Sequence, residues 1–318
     1  MKILRIPTLA LVLLLGACGG AGDGTASSAT AGSATSSATS SATSSTAVVA
    51  SSSSSSAASG GTSTAGVYCG YNNSVLNAAL ALTSSVNINC AGGQRVMTGN
   101  GVPDHATGTF PNSGNPNRIT AQTVQFTAAL APVATTTATS VMISGYANNS
   151  VKFDPGTAES YQNAGVWRIE ALNQSYFAFG VDSSNAHVQP NGAYHYHGMP
   201  EAYMATLNKG TAMTLVGFAA DGFPVYARYG YNVATNVASG VRAMLPSWRM
   251  KTSPDPGRPA TSIVPMGTFV QDYEYVAGLG DLDECNGRTG VTPEFPGGIY
   301  HYYITDGYPY IQRCTKGR

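Results

Sequence analysis

Five histidines occur in the 318-residue chain, and four of them fall in two short, similar stretches. His195 and His197 stand two residues apart in Gly192-Ala193-Tyr194-His195-Tyr196-His197. On a strand, successive side chains leave opposite faces, so both imidazoles project from one face and Tyr194 and Tyr196 from the other. Two ring nitrogens side by side are the beginning of a transition-metal site, and Zn²⁺ or Cu²⁺ suits imidazole ligands. His187 precedes the pair across a Gln189-Pro190-Asn191-Gly192 turn that folds it back beside them. His301 is the other candidate ligand, because Tyr300-His301-Tyr302-Tyr303 repeats the first phrase with Tyr303 in the place of His197. The competing reading is a ladder of Tyr–His hydrogen bonds that holds no ion. His105 stands alone after Asp104.

One acidic cluster, Asp281-Leu282-Asp283-Glu284-Cys285-Asn286-Gly287, supplies the carboxylates. Asp283 and Glu284 are candidates to join the histidines as ligand, outer carboxylate or general base. The cluster fails the EF-hand pattern, and a turn at Asn286-Gly287 beside a cysteine accounts for it equally well. No catalytic residue is assigned. The sequence has no G-x-S-x-G elbow, H-E-x-x-H, P-loop or dinucleotide fingerprint. Trp167, Trp248 and the tyrosine-rich runs line either a core or a glycan or peptide groove.

The elements that must carry these residues read as strands. Met213-Thr214-Leu215-Val216-Gly217-Phe218 and similar short runs stop at Gly, Pro or Asn. Short helices are expected over Val75 to Leu82 and over Glu201 to Lys209, the latter stopped by Gly210. The fold class is therefore mainly β: a mixed, largely antiparallel sheet or sandwich with a few short helices. Asp221-Gly222-Phe223-Pro224-Val225-Tyr226 follows the first Tyr–His phrase and Asp306-Gly307-Tyr308-Pro309-Tyr310 the second. This echo marks two related strand–turn–strand units or merely shared composition.

Residues 1–17 read as a lipoprotein signal peptide: Lys2 and Arg5, an apolar Ile6 to Leu15, then Leu15-Gly16-Ala17-Cys18. Cleavage before Cys18 would leave its thiol to carry a diacylglycerol. Gly19 follows rather than Asp, which favours the outer membrane or cell surface. No other run is long and apolar enough to span a bilayer, so the lipid is the expected membrane attachment. Residues 18–66 form a tether. From 19 to 66, Gly, Ala, Ser or Thr fills 45 of 48 positions, which leaves almost nothing to bury against the entropy of ordering. Its r.m.s. span is about 40 Å.

Four other cysteines, Cys69, Cys90, Cys285 and Cys314, form an even set in an exported protein and imply two disulfides. Of three pairings, sequence separation favours Cys69–Cys90 and Cys285–Cys314. Residues 67–96 are read as a small Cys-stapled subregion ahead of a main domain over 97–318. Without the leader, 14 basic residues face 16 acidic ones, scattered singly. That pattern excludes a nucleic-acid binder. A cell-envelope protein or glycan remains the expected kind of partner.

Several ordered phrases resemble the YHYH-domain family: His187-Val188-Gln189-Pro190-Asn191-Gly192 running into Tyr194-His195-Tyr196-His197-Gly198, then Asp221-Gly222-Phe223-Pro224 and Asp281 to Arg288. Gly290 to Pro296, Tyr300-His301-Tyr302, Gly101-Val102-Pro103-Asp104-His105 and Phe110-Pro111-Asn112 also fit. The resemblance implies an exported bacterial protein, often a lipoprotein, and assigns no activity. The functional expectation is a surface-anchored lipoprotein binding a transition metal, Zn or Cu, through a His cluster. The alternatives are a glycan- or peptide-binding adhesion module with structural histidines, or a metal-assisted hydrolase.

Overall fold

A computed structural model describes residues 63–318. The leader, Cys18 and the tether up to residue 62 lie outside the described residues. Residues 63–318 fall within one compact unit. A four-stranded antiparallel sheet comes first: β1 (Tyr71–Asn77), β2 (Leu82–Ala91), β3 (Gln94–Gly99) and β4 (Val124–Ala129), paired in that order. Then follow β5 (Ala134–Ser140), β6 (Gly145–Ala147), β7 (Lys152–Phe153), β8 (Ala186–Val188), β9 (Tyr194–Tyr196) and helix α1 (Glu201–Leu207). Beyond it come β10 (Thr214–Ala219), β11 (Pro224–Ala227), β12 (Tyr229–Val233) and β13 (Asn236–Ala243). The chain ends with β14 (Trp248–Met250), β15 (Tyr273–Tyr275), β16 (Gly287–Gly290), β17 (Ile299–Ile304) and β18 (Cys314–Gly317).

Eight of these strands form the central sheet, in the order β16-β17-β11-β10-β6-β7-β9-β8. All its pairings are antiparallel except β7–β9 and β11–β17. The mainly β expectation is thus met, with one α-helix among the described residues. One apolar cluster joins Tyr194, Tyr196, Tyr300 and Tyr302 to Tyr203 of α1 and to Val216 and Val225. A second joins Ile88, Met97 and Phe126 of the four-stranded sheet to Leu215, Phe218, Tyr226 and Tyr303. Alternation along β9, β11 and β17 assigns neighbouring residues to opposite faces of the large sheet.

Both disulfides pair as sequence separation favoured, Cys69–Cys90 and Cys285–Cys314. Three expectations are corrected. Val75 to Leu82 is not helical: β1 runs to Asn77, turns through a left-handed Ala81, and pairs with β2. Val75 and Leu76 are exposed there, so a helix would have had no face to bury, whereas strand pairing satisfies the backbone. The boundary at 96/97 falls inside β3, which hydrogen-bonds to both β2 and β4. The Cys-stapled segment is therefore part of the same packed domain. The packed chain also reaches back into the segment read as tether, for Thr64 is buried and its hydroxyl donates to the Leu130 carbonyl at 3.1 Å.

Arg95 causes that last departure. Its buried guanidinium donates to the Thr64 hydroxyl (3.1 Å) and to the Thr64 and Val67 carbonyls (both 2.9 Å). It also lies 3.4 Å from the centroid of the Phe218 ring. One cation thus ties the start of the domain to the central sheet. Arg95→Met should lower unfolding stability by about 2–4 kcal/mol in urea titration; a change within about 0.5 kcal/mol, the range of ordinary surface substitutions, would contradict this role.

Candidate metal centre

Strand β9 is short and buried on both faces. Its Tyr face is held by hydroxyl hydrogen bonds. Tyr194 donates to Asp182 Oδ2 at 2.7 Å, and Tyr196 lies 2.6 Å from His105 Nε2 and 3.0 Å from Asn149 Nδ2. His105 Nδ1 is 2.8 Å from the Ala106 carbonyl. That nitrogen must carry the proton, so Nε2 accepts from Tyr196. His105, isolated in the sequence, thus fixes the Tyr face.

The opposite face presents the histidines. His187 is the register partner of His195 across β8–β9, so the turn between them does fold it back. His187, His195 and His197 are 9%, 2% and 0% exposed. Their ring centroids stand 4.6–4.7 Å apart in all three pairs. One ligand nitrogen from each lies within 4.8 Å of the other two, and among the described residues no other group of His, Cys, Asp or Glu is so placed.

Proton positions follow from the partners. His187 Nδ1 is 2.9 Å from the Phe179 carbonyl and His195 Nδ1 is 3.2 Å from the Ala193 carbonyl. Both Nδ1 atoms therefore carry protons, which leaves lone pairs on Nε2. His197 Nε2 stands 3.1 Å from His187 Nε2, while its Nδ1 is buried without a hydrogen-bond partner. Without an ion, His197 Nε2 donates to His187 Nε2, and its Nδ1 is left as a buried acceptor with no hydrogen-bond donor. If the proton moves to Nδ1 it finds no acceptor there, and two Nε2 lone pairs meet at 3.1 Å. A cation between them would remove the lone-pair contact. Tetrahedral Zn–N bonds of about 2.0–2.1 Å place ligand nitrogens about 3.3 Å apart. The His187–His197 pair is already close to that spacing, and the rest of the set would have to contract around an ion.

Burial is the main reason that all three rings stay neutral, which is the form that binds metal. It pushes their pKa values below the usual imidazole range, far below for His195 and His197. Neighbouring rings add to this at His195 and His197, as does Lys152 at His195 and Arg313 at His197. The charges of Glu159, Asp154 and Asp182 act the other way on His187.

The remaining sequence candidates lie elsewhere. His301 is outside the cluster: its Nδ1 is 2.9 Å from the Ile299 carbonyl and its Nε2 2.9 Å from the Tyr303 hydroxyl. Asp283 accepts from the Tyr300 hydroxyl (2.9 Å) and from the Cys285 and Gly287 amides. Glu284 pairs with Lys316 at 2.9 Å. Both carboxylates thus serve a turn beside the Cys285–Cys314 disulfide rather than the histidines. Phe179 and Ala193 carry no sequence signal for this role, because a backbone carbonyl leaves no mark on residue type.

These features define a β-sheet protein with a buried cluster of three neutral histidines. The chain belongs to the YHYH protein family, whose model matches residues 125–317. The match leaves the Gly101–His105 and Phe110–Asn112 phrases outside it. No curated protein and no solved structure matches the chain.

Acid should unfold the protein progressively. Burial lowers all five histidine pKa values in the fold, His301 to about 3. Below about pH 6.5 the unfolded chain therefore binds more protons than the folded one. Stability is complete above that pH and is lost as pH falls, by up to about 1.4 kcal/mol per pH unit for each ring that stays neutral. Urea midpoints measured in chelator should fall between pH 7.5 and 5.5, and a constant midpoint would contradict neutral burial.

Proposed function

We propose that this is an exported lipoprotein whose YHYH domain binds one transition-metal ion, Zn²⁺ or Cu²⁺, through Nε2 of His187, His195 and His197. The supporting observation is the hydrogen-bond arithmetic of the cluster. Phe179 and Ala193 fix two Nε2 lone pairs, and no proton placement on His197 satisfies both of its nitrogens. A divalent ion accepts all three lone pairs at once. The donor set is all nitrogen, which suits borderline ions over calcium or magnesium.

Burial favours an ion that is held over one that turns over substrate. Metal-assisted hydrolysis needs an open coordination position that water and substrate both reach. Here the three rings are almost fully enclosed, with the Phe179 ring packed 5.7 Å from His187. The ion's role is then to clamp β8 to β9 and to the residue that follows it, and so to hold the hairpin in one shape. Leader and tether would place that domain outside the cytoplasm, on a lipid at Cys18.

Two measurements test this reading. Elemental analysis of protein purified from the cell envelope without a polyhistidine tag should find close to one Zn or Cu per chain. His195→Ala/His197→Ala should lose it while keeping the β-sheet circular dichroism; absence of metal after supplementation at neutral pH would refute the site. Cys18→Ser should move the protein from the detergent phase to the aqueous phase in phase partition, and an unchanged distribution would refute the lipid anchor.

A further inference from the structure

The central sheet is a palindrome about its middle pair. Outward from β6, the strands are β7, β9 and β8; outward from β10, they are β11, β17 and β16. The pairings match step for step. β6–β7 and β10–β11 are antiparallel, β7–β9 and β11–β17 parallel, β9–β8 and β17–β16 antiparallel, and the central β6–β10 pair is antiparallel, as a twofold axis requires.

The correspondence extends to single hydrogen bonds. In the first half Ala147 N donates to Val151 O and Ser150 N to Ala147 O, at 2.8 and 2.9 Å. In the second, Ala219 N donates to Phe223 O and Gly222 N to Ala219 O, at 2.9 and 2.8 Å. Ser150 and Gly222 are both left-handed. Asn149 and Asp221, each one residue earlier, hold the hydroxyls of Tyr196 and Tyr302. The outer turns agree as well. Asp182 accepts from the Ser184 amide and the Tyr194 hydroxyl, and Asp283 accepts from the Cys285 amide and the Tyr300 hydroxyl. Left-handed Asn185 and Asn286 offer their carbonyls to the amides of His197 and Tyr303, at 2.8 and 2.9 Å. His187 pairs in register with His195, and Arg288 with His301.

These equivalences superpose His187 on Arg288, His195 on His301 and His197 on Tyr303. In the second half the three groups form a hydrogen-bonded chain, with Arg288 Nε left without a partner. Arg288 Nη2 donates to the Tyr303 hydroxyl at 3.2 Å, and that hydroxyl lies 2.9 Å from His301 Nε2. His301 Nδ1 is taken by the Ile299 carbonyl, as His195 Nδ1 is by Ala193. Tyr303 thus donates to the imidazole and accepts from the guanidinium, whose carbon lies 5.4 Å from its ring centroid. Both His301 nitrogens are satisfied, whereas its counterpart cluster leaves His197 Nδ1 bare.

We propose that residues 145–197 and 217–303 are two copies of one cation-binding unit, and that in the second copy the Arg288 guanidinium stands in for the metal ion. The chain then takes one ion, in the first copy, while its twin carries a cation of its own. This rests on the first cluster being a metal site. It adds that the second position is a latent site, closed by two side chains.

Native mass spectrometry of the full mature chain with Zn²⁺ as the probe tests both. The wild type should bind one equivalent and Arg288→His/Tyr303→His two. One equivalent in each, with the variant folded, overturns the latent site and leaves the first one standing. None in the wild type overturns the reading of the first cluster, and none in the variant as well overturns both. Should Arg288→His/Tyr303→His fail to fold, the reciprocal His187→Arg/His197→Tyr decides. It should fold without zinc and melt several degrees above His187→Ala/His197→Ala in chelator. Retained zinc, or melting no higher than the alanine pair, overturns the stand-in role of Arg288.

Discussion

The His face of the central sheet turns on one contact, the approach of His197 Nε2 to His187 Nε2. Two Nε2 atoms stand 3.1 Å apart on buried rings, and burial pushes both pKa values down and so favours the neutral rings. The Phe179 carbonyl fixes the proton of one ring, so the second either donates to its neighbour and leaves Nδ1 unpaired or turns a lone pair on that neighbour. Low dielectric makes either conflict expensive. The backbone holds them in place by the register of β8 on β9, and the parallel β7–β9 pairing anchors that hairpin in the sheet.

The Tyr face makes the His face rigid. Alternation along three residues of β9 allows Tyr194 and Tyr196 to lock onto Asp182, Asn149 and His105 while the imidazoles converge behind them. Three imidazoles built on strands and oriented by outer hydrogen bonds have little freedom to reorganise. The second half of the sheet uses the same frame to opposite effect. With Arg288 and Tyr303 in place, every His301 nitrogen is satisfied internally. On the proposed reading, one scaffold supports two solutions to the same problem: an external cation, or one supplied by the chain.

Much of this was legible in the sequence, for physical reasons. His-x-His on a strand fixes two imidazoles on one face, and the turn at Gln189 to Gly192 returns His187 to them; both inferences need only local geometry. The two disulfides were likewise inferred from local loops. Long-range placement was not legible. His301 has the same local phrase as His195, yet its neighbour Tyr303 takes its free nitrogen. Asp283 and Glu284 look like ligands only until the outer turn shows Asp283 doing for Tyr300 what Asp182 does for Tyr194. The echo itself was visible but out of phase: the Asp221-Gly222 turn belongs before the second Tyr–His phrase, as the counterpart of Asn149-Ser150. Register across the sheet, rather than order along the chain, reveals that pairing. The helix expected over Val75 to Leu82 failed for a related reason, since its apolar residues had no packed face waiting for them.

Anomalous diffraction at the zinc edge, on crystals of zinc-loaded protein, tests the central claim most directly. The account predicts one strong peak bonded to Nε2 of His187, His195 and His197 at about 2.0–2.1 Å, and no peak beside Arg288. An empty cluster, with His197 Nε2 still 3.1 Å from His187 and the zinc elsewhere or absent, would contradict it. The Tyr–His strands would then be a purely structural ladder.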